Sequence, residues 1–274
     1  MMAQGSPVGR SPIAAWLSEA PQPENVARLG YIICATPRSG SYFLCDLLRS
    51  TGVLGRPHEF FCGDAMRRHG ALDYPDSLDR QIAAVRTYGC GANGIFGVKL
   101  LPSHLAGRSL SRIMTGLNGP VPVLLEREDL LGQAISQARA AQSHWFMAND
   151  KPRFDAGLIR DHLELLVRWN ASWRIYFARR GAVPLRVIYE DVVASPHEAV
   201  GRIAAALGLE APPQIDPQRL SMSVQRDAIS AEWRERFLAA QPSALELTAP
   251  RTVPAITWQR RLRRLARMLH LRSR

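Results

Sequence analysis

The sequence predicts an α/β fold in which a central, mainly parallel sheet is flanked by helices. Its apolar runs are short and continuous rather than alternating, as expected for parallel strands that are buried on both faces. Helical patterns lie between these runs, and strands that alternate with helices form a layered α/β sheet. The predicted strands are Tyr31–Ala35, Ile95–Leu100, Val121–Glu126 and Leu185–Tyr189.

The helices are predicted from apolar spacing and from the residue types at their starts. The first helix, Ser41–Ser50, places four apolar side chains at helical spacing and is followed by Gly52, a residue type that commonly ends helices. Later helices are opened or preceded by Ser or Asp, which favour N-cap positions. These later helices are predicted at Ser103–Met114, Asp129–Met147, Ala156–Arg180 and Pro196–Leu207.

Length and composition indicate one globular domain with extensions at both ends. The chain has 274 residues, of which 46% are apolar, and this length suits a single core. We expect an N-terminal extension at 1–28, the main domain at 29–245 and a basic amphipathic tail at 246–274. In the tail, an apolar stripe beginning at Trp258 faces arginines, a pattern typical of interfacial helices.

The charge and the cysteines limit the cellular setting. The formal net charge is +11 and most basic side chains are arginines, which suits phosphate, sulfate or an anionic surface. The four cysteines lack metal-ligand spacing, and we expect free thiols in a reducing compartment. The N-terminal segment lacks a signal-peptide pattern, so we expect a cytoplasmic protein whose tail (258–274) contacts the inner face of an anionic membrane.

The turn after the first strand has the features of an anion site. Backbone N–H groups at a strand-to-helix turn lack intrahelical partners, and the helix dipole favours negative charge there. An arginine and two serines add further donors. One glycine and no lysine stand in this turn, so it is not a Walker A motif. The turn contains Thr36, Pro37, Arg38, Ser39, Gly40, Ser41 and Tyr42.

Together with later segments, this turn resembles the Stf0-type bacterial sulfotransferases, the trehalose 2-sulfotransferase-like family. The likeness covers about residues 30 to 240 and departs at Tyr42, where the family usually has a small hydroxyl residue. It implies a P-loop-like sulfotransferase fold, 3′-phosphoadenosine 5′-phosphosulfate as donor, a carbohydrate acceptor, a homodimer and no metal. The later matching segments are Gly55–Phe61, Gly94–Leu100, Leu125–Asp129, Gln133–Ser136, Arg139–Ala140 and Gln225–Asp227.

The resemblance also implies roles for individual residues. The Thr36–Tyr42 turn holds the donor, and Arg38 stabilises charge on the leaving 5′-phosphate. Glu59 is the general base, with His58 as the competing candidate, and Lys99 adds a cation beside the sulfonate. Burial against the neighbouring phenylalanines is expected to raise the pKa of Glu59 toward the working range.

A second set of residues is expected to bind the nucleotide. Arg127 and Ser136 supply the guanidinium and hydroxyl that a 3′-phosphate requires, and Gln133 is the alternative to Ser136. Arg226 and Trp233 close over the nucleotide, where an indole can stack on adenine.

Two other functions compete with sulfonate transfer. A nucleotide-dependent kinase would need a metal-binding carboxylate, for which Glu126 at a strand end is the candidate. A non-catalytic module could hold lipid headgroups or nucleic acid, although aromatic residues for base stacking are sparse. The tail has a competing interpretation too, as a helix packed on its own domain or on a partner protomer. The acceptor remains open between trehalose, a glycolipid and a lipopolysaccharide sugar.

Overall fold

The computed structural model describes residues 29–68, 71, 73–142, 152–221 and 228–240. The chain divides into two compact units, Met1–Glu235 and Arg236–Arg274, and every site residue discussed below lies in the first. The predicted boundaries at 28/29 and 245/246 remain predictions, and the predicted tail helix lies outside the described residues. Within the described ranges, no helix is long and apolar enough to cross a membrane.

The four strands form one parallel sheet with the order β2-β1-β3-β4. This arrangement confirms the predicted α/β class with a mainly parallel central sheet. Because β1 has β2 on one side and β3 on the other, the strand order reverses at β1, and such a switch point is where open α/β sheets bind ligands. The strands are β1 (Leu29–Cys34), β2 (Ile95–Leu100), β3 (Val121–Glu126) and β4 (Leu185–Ile188).

Helices cover both faces of the sheet. Two short 3₁₀ helices, Pro102–Leu105 and Pro217–Arg219, accompany the α-helices. The α-helices are α1 (Ser41–Ser50), α2 (Gly63–Arg68), α3 (Leu78–Tyr88), α4 (Leu110–Gly116), α5 (Leu130–Gln142), α6 (Ala156–Arg180), α7 (Tyr189–Ala194), α8 (Pro196–Ala206) and α9 (Ala228–Ala239).

The hydrophobic core has two parts, one on each face of the sheet. Successive side chains of β1 belong to different parts. Ile33 belongs to the part that contains residues of α1 and α8, such as Leu47 and Ile203. Ile32 belongs to the other part, together with Phe60 and Trp173. Successive side chains of a strand point to opposite faces, so β1 is enclosed on both sides and its carboxyl end is held in place.

The predicted helix Ser103–Met114 is wrong in its continuity. The chain forms a 3₁₀ turn at Pro102–Leu105, then passes through Gly107 at a φ of 69°, before α4 begins at Leu110. A left-handed glycine interrupts a right-handed helix, and Ser109 starts the new helix by accepting a hydrogen bond from the Arg112 N–H. The last strand is also one residue shorter than predicted, because Tyr189 begins α7.

The carboxylate of Glu126, at the end of β3, is fixed by two arginines. Oε1 accepts hydrogen bonds from Nε and Nη2 of Arg174 (2.9 and 2.7 Å), and Oε2 accepts from Nε and Nη2 of Arg186 (3.0 and 2.9 Å). The Glu126 side chain is 8% exposed, whereas the arginine side chains are 64% and 61% exposed. The carboxylate therefore ties α6 and β4 to β3.

Replacement of Glu126 by Gln is expected to lower the free energy of unfolding by about 1–3 kcal/mol, because a buried charged acceptor of four hydrogen bonds is lost. Urea unfolding measures this change. Glu164→Gln is the matched control, since Glu164 pairs with Arg168 on an exposed helix face and such a pair contributes at most about 1 kcal/mol. Equal stability of the two variants would contradict the proposed role of Glu126 in tying α6 and β4 to β3.

Candidate active site

The loop from Thr36 to Gly40 connects β1 to α1 at the switch point of the sheet. Arg38 and Gly40 both have left-handed backbone conformations, with φ of 61° and 82°. A Cβ added to Gly40 would lie 2.0 Å from Cδ2 of Tyr189, so this position requires glycine both for its φ and for the close approach. We call residues 36–40 the β1–α1 loop.

Two buried side chains from neighbouring helices hold this loop. Nε2 of Gln133, on α5, donates to Oγ1 of Thr36 (2.8 Å) and to the carbonyl oxygen of Pro37 (2.7 Å). Nε1 of Trp173, on α6, donates to the carbonyl oxygen of Ala35 (3.0 Å). Gln133 is fully buried, and its amide nitrogen is already engaged by the loop, which favours Ser136 over Gln133 as the predicted phosphate contact.

The loop presents donors at the start of α1. The first hydrogen bond of the helix runs from the Leu44 N–H to the Gly40 carbonyl. The backbone N–H groups of the residues before Leu44 belong to the first turn, and such groups lack an intrahelical acceptor. The hydroxyl oxygen of Ser39 is buried and has no hydrogen-bond partner in the part of the chain that the structure describes. A buried hydroxyl beside a helix N-terminus fits an anionic oxygen as its partner.

Arg38, Arg127 and Ser136 come together at the loop, although the sequence analysis assigned the first to the 5′-phosphate and the other two to the 3′-phosphate. Nε of Arg38 donates to Oγ of Ser136 (2.9 Å), and Nη1 of Arg127 donates to the Arg38 carbonyl oxygen (3.2 Å). Burial and then the neighbouring Arg127 charge lower the pKa of Arg38 from its ordinary value. Among the described residues, no carboxylate lies within ion-pair distance of Arg38. Arg127, in contrast, lies 3.5 Å from Asp129 and 3.9 Å from Glu190. Arg38 is therefore the guanidinium of this group whose charge an anion would neutralise.

Glu59 and Lys99 form a buried ion pair beside this loop. Nζ of Lys99 lies 2.7 Å from Oε1 of Glu59, and the two side chains are 1% and 9% exposed. Nζ also lies 3.0 Å from the ring centroid of Tyr42, at the start of α1. The Lys99 N–H donates to the His58 carbonyl (2.9 Å), which fixes the segment carrying Glu59 to the end of β2. The acid, the cation and the donor loop are thus contiguous.

The expected rise in the pKa of Glu59 is wrong in direction. Burial does act to raise the pKa of this carboxyl, but the charge of Lys99, joined in acid by that of protonated His104, outweighs it and lowers the pKa to about 2. The reason is that an opposite charge at contact distance stabilises the ionised form more than desolvation disfavours it. Glu59 is consequently a permanent carboxylate at neutral pH.

Tyr42 and His58 line the same region. Burial, followed by the charge of Glu59, raises the pKa of the Tyr42 phenol well above its ordinary value. The His58 ring packs edge-on at 6.2 Å from both Tyr42 and Phe60, and the residue is buried. His58, the competing base in the sequence analysis, therefore lies among aromatic rings, whereas Glu59 carries the ion pair.

Sequence reasoning missed His104, which lies in the 3₁₀ turn directly after β2. Its Nε2 is 4.0 Å from Oε2 of Glu59, and its Nδ1 accepts a hydrogen bond from the Leu101 N–H (3.3 Å). Burial lowers the pKa of His104 to about 4, with Glu59 opposing and Lys99 and Arg108 adding to the shift. No motif in the sequence marks this histidine, because its role depends on a glutamate 45 positions earlier in the chain.

Glu59, Cys62 and His104 place ligand-type atoms within 4.8 Å of one another, and the chemistry of this set opposes a metal ion. Lys99 already holds one oxygen of Glu59. Because Nδ1 of His104 accepts a backbone N–H, the proton of the neutral ring sits on Nε2, the atom that would have to coordinate. A metal would have to displace an ammonium and break the Leu101 hydrogen bond.

Trp233, which was predicted to close over the nucleotide, lies in a core environment. Trp233 is 3% exposed and packs edge-on against Phe154, with ring centroids 5.8 Å apart. The prediction that its indole stacks on adenine is therefore not supported by its surroundings, which are those of a core residue. Arg226 lies outside the described residues.

Comparison with known protein families assigns the chain to the sulfotransferases. The matching model is that of the Stf0 sulphotransferase family, over residues 30–240. Because the match covers well over half of the chain, the protein belongs to this family.

Relatives and solved structures carry related names. The chain is 28% identical to the trehalose 2-sulfotransferase of Mycolicibacterium smegmatis over 252 residues, 76% of this chain and 93% of that protein. It is 27% identical to the trehalose 2-sulfotransferase of Mycobacterium tuberculosis over 259 residues, 77% of this chain and 95% of that protein. A solved sulfotransferase from Alicyclobacillus acidocaldarius is similar with a TM-score of 0.45 and 16% identity, over 78% of this chain and 96% of the other.

The lowered pKa of Glu59 predicts acid sensitivity of the fold. The ordinary value of this carboxyl is 4.5 and the folded value is about 2, so the unfolded state binds the proton first. The stabilisation is fully present above pH 4.5 and is lost as the pH falls toward 2. In Glu59→Gln, the slope of unfolding free energy against pH below pH 4 should be shallower than in the wild type. Urea unfolding at pH 4 and pH 3 measures the slopes, and equal slopes would contradict the pKa direction.

Proposed function

We propose that this protein transfers a sulfonate from 3′-phosphoadenosine 5′-phosphosulfate to a hydroxyl of a carbohydrate. The observation that carries the proposal is the buried Glu59–Lys99 pair (2.7 Å), in which Lys99 contacts Tyr42, two residues after the β1–α1 loop. Trehalose is the acceptor class in the names of two relatives, and a glycolipid or a lipopolysaccharide sugar is consistent with the same chemistry. The homodimer, the cytoplasmic location and the membrane contact through 258–274 remain predictions.

The residues of the loop fit the donor. The orphaned hydroxyl of Ser39 and the first amides of α1 accommodate the oxygens of the 5′-phosphosulfate. Arg38 neutralises the charge that builds up on the 5′-phosphate when the bridging S–O bond breaks. Arg127 and Ser136, which both contact Arg38, bind the 3′-phosphate.

Glu59 orients the acceptor hydroxyl and takes its proton. The acceptor oxygen forms the new bond to sulfur, and in a loose, in-line transfer this oxygen becomes acidic only as that bond forms. A carboxylate of low pKa can therefore receive the proton late in the reaction. Lys99 keeps Glu59 ionised and adds positive charge beside the transferring group.

The kinase alternative is disfavoured by Glu126. Both of its carboxylate oxygens accept hydrogen bonds from arginine side chains, so the candidate metal-binding carboxylate is already neutralised. Its place at the end of β3 is explained by its structural role. The non-catalytic alternative does not account for a buried acid–cation pair next to the loop.

The transfer itself is tested with isotopically labelled donor and trehalose as acceptor. Wild-type protein is expected to transfer the labelled sulfonate, whereas Glu59→Gln should bind the donor within a few-fold of wild type and lose roughly 10²–10⁴ in turnover, as expected for removal of a general base. Glu164→Gln, at an exposed position of α6, is the control with unchanged turnover. Tight binding of ATP with Mg²⁺ and phosphoryl transfer instead would overturn the proposal, and an active Glu59→Gln would move the base to His58.

Replacement of Arg127 separates the two phosphate positions of the donor. Arg127→Ala should weaken binding of adenosine 3′,5′-bisphosphate by about 2–4 kcal/mol and binding of adenosine 5′-phosphate far less, since only the first ligand makes the lost charge-assisted contact. Calorimetric titration of both nucleotides gives the comparison. Arg127→Lys retains the charge without the planar fork and should lie between wild type and Ala. Equal losses for both nucleotides would remove Arg127 from the 3′ site.

A further inference from the structure

We infer that His104 is a positioning residue for Glu59, whose Oε2 it orients through Nε2–H while Lys99 holds Oε1. This inference rests on the proposed role of Glu59 as the base. It adds to that role a residue that stands in none of the segments by which the sequence resembles the family.

The backbone around His104 fixes which ring nitrogen faces Glu59. The Leu101 N–H donates to Nδ1 (3.3 Å), and the His104 N–H donates to the Leu101 carbonyl oxygen (3.0 Å). An Nδ1 that accepts a hydrogen bond leaves the proton of a neutral imidazole on Nε2. That atom is 4.0 Å from Oε2 of Glu59, longer than a hydrogen bond, as catalytic contacts often are before substrate binds.

The surrounding charges keep His104 neutral. The titratable and charged groups that face it are Glu59, Lys99 and Arg108, with the Cys62 thiol within 4.8 Å. Burial and the two cations outweigh the attraction of Glu59 and hold the pKa of His104 at about 4. The ring is therefore a neutral N–H donor at working pH, and the Leu101 contact persists.

Engagement of both oxygens matters because the terminal torsion of a glutamate is soft. Lys99 holds one oxygen from β2, and a donor from the turn directly after β2 limits rotation about the last bond. Both groups stand on one continuous backbone segment, Ile95–Leu105, so their spacing is rigid. A carboxylate held at both oxygens presents a fixed lone pair to the acceptor hydroxyl.

Two amide variants, each of which reproduces one ring nitrogen, separate the donor role from the structural role. The Asn carbonyl of His104→Asn lies where Nδ1 does and retains the Leu101 contact, but no donor remains toward Glu59. The amide nitrogen of His104→Gln lies near the place of Nε2 and retains the donor. A role in folding alone would make Asn the milder change, whereas a role in positioning makes Gln the milder change.

Turnover, the KM for donor and the thermal midpoint are measured for both variants with trehalose as acceptor. His104→Asn is expected to lower kcat roughly 10- to 100-fold, the cost of a misplaced catalytic group, with donor affinity within about twofold of wild type. His104→Gln should retain kcat within about threefold. If Asn does not fold, His104→Phe, of similar volume and without a donor, takes its place.

A double-mutant comparison connects the effect to Glu59. In a Glu59→Gln background, His104→Asn should change the residual turnover by less than about twofold, because residues that act as a unit are non-additive. Full turnover of His104→Asn, equal losses in Asn and Gln, or an undiminished effect in the Glu59→Gln background would each overturn the inference. Failure of the base assignment is recognised separately, because Glu59→Gln would then itself remain active.

Discussion

The ion pair between Glu59 and Lys99 is the interaction on which the active-site region depends. Both side chains are almost completely removed from solvent, and separating them would leave an uncompensated buried charge, which costs several kcal/mol. The pair can form only if Lys99 lies near the carboxyl end of β2 and if the segment before α2, which carries Glu59, runs alongside β2. The Lys99 N–H to His58 carbonyl bond secures that second condition.

The two halves of the site differ in how their charges are compensated. Around Glu59 the acid and the cation neutralise each other, which suits the proposed approach of an uncharged sugar hydroxyl. At the β1–α1 loop, Asp129 and Glu190 lie near Arg127, whereas no carboxylate in the described part of the chain pairs with Arg38. An uncompensated guanidinium suits a donor with several negative charges. Tyr42 connects the halves, because it begins α1 and its ring faces Lys99.

Sequence patterns predicted the strands to within two residues because buried parallel strands are continuous apolar runs. They also predicted α6, which Asp155 caps and Gly181 ends at a φ of 61°. The contacts of Arg127 and Ser136 with Arg38 were not predicted, since the sequence analysis assigned these residues to two different phosphates of the donor. The pKa of Glu59 and the place of His104 could not be read, because both depend on partners 40 or more positions away.

The tyrosine at position 42, predicted as a donor contact, has its ring against the ion pair. In the sequence analysis, Tyr42 stood out because the resemblance implies a small hydroxyl residue at this position. This difference suggested a changed contact to the phosphosulfate. In the structure its ring lies 3.0 Å from Nζ of Lys99, and an aromatic face stabilises a desolvated ammonium. Lys99 therefore has favourable contacts on two sides, with the Glu59 carboxylate and with this ring. The tyrosine at this position can be explained only once Lys99 of β2 is known to lie against its ring.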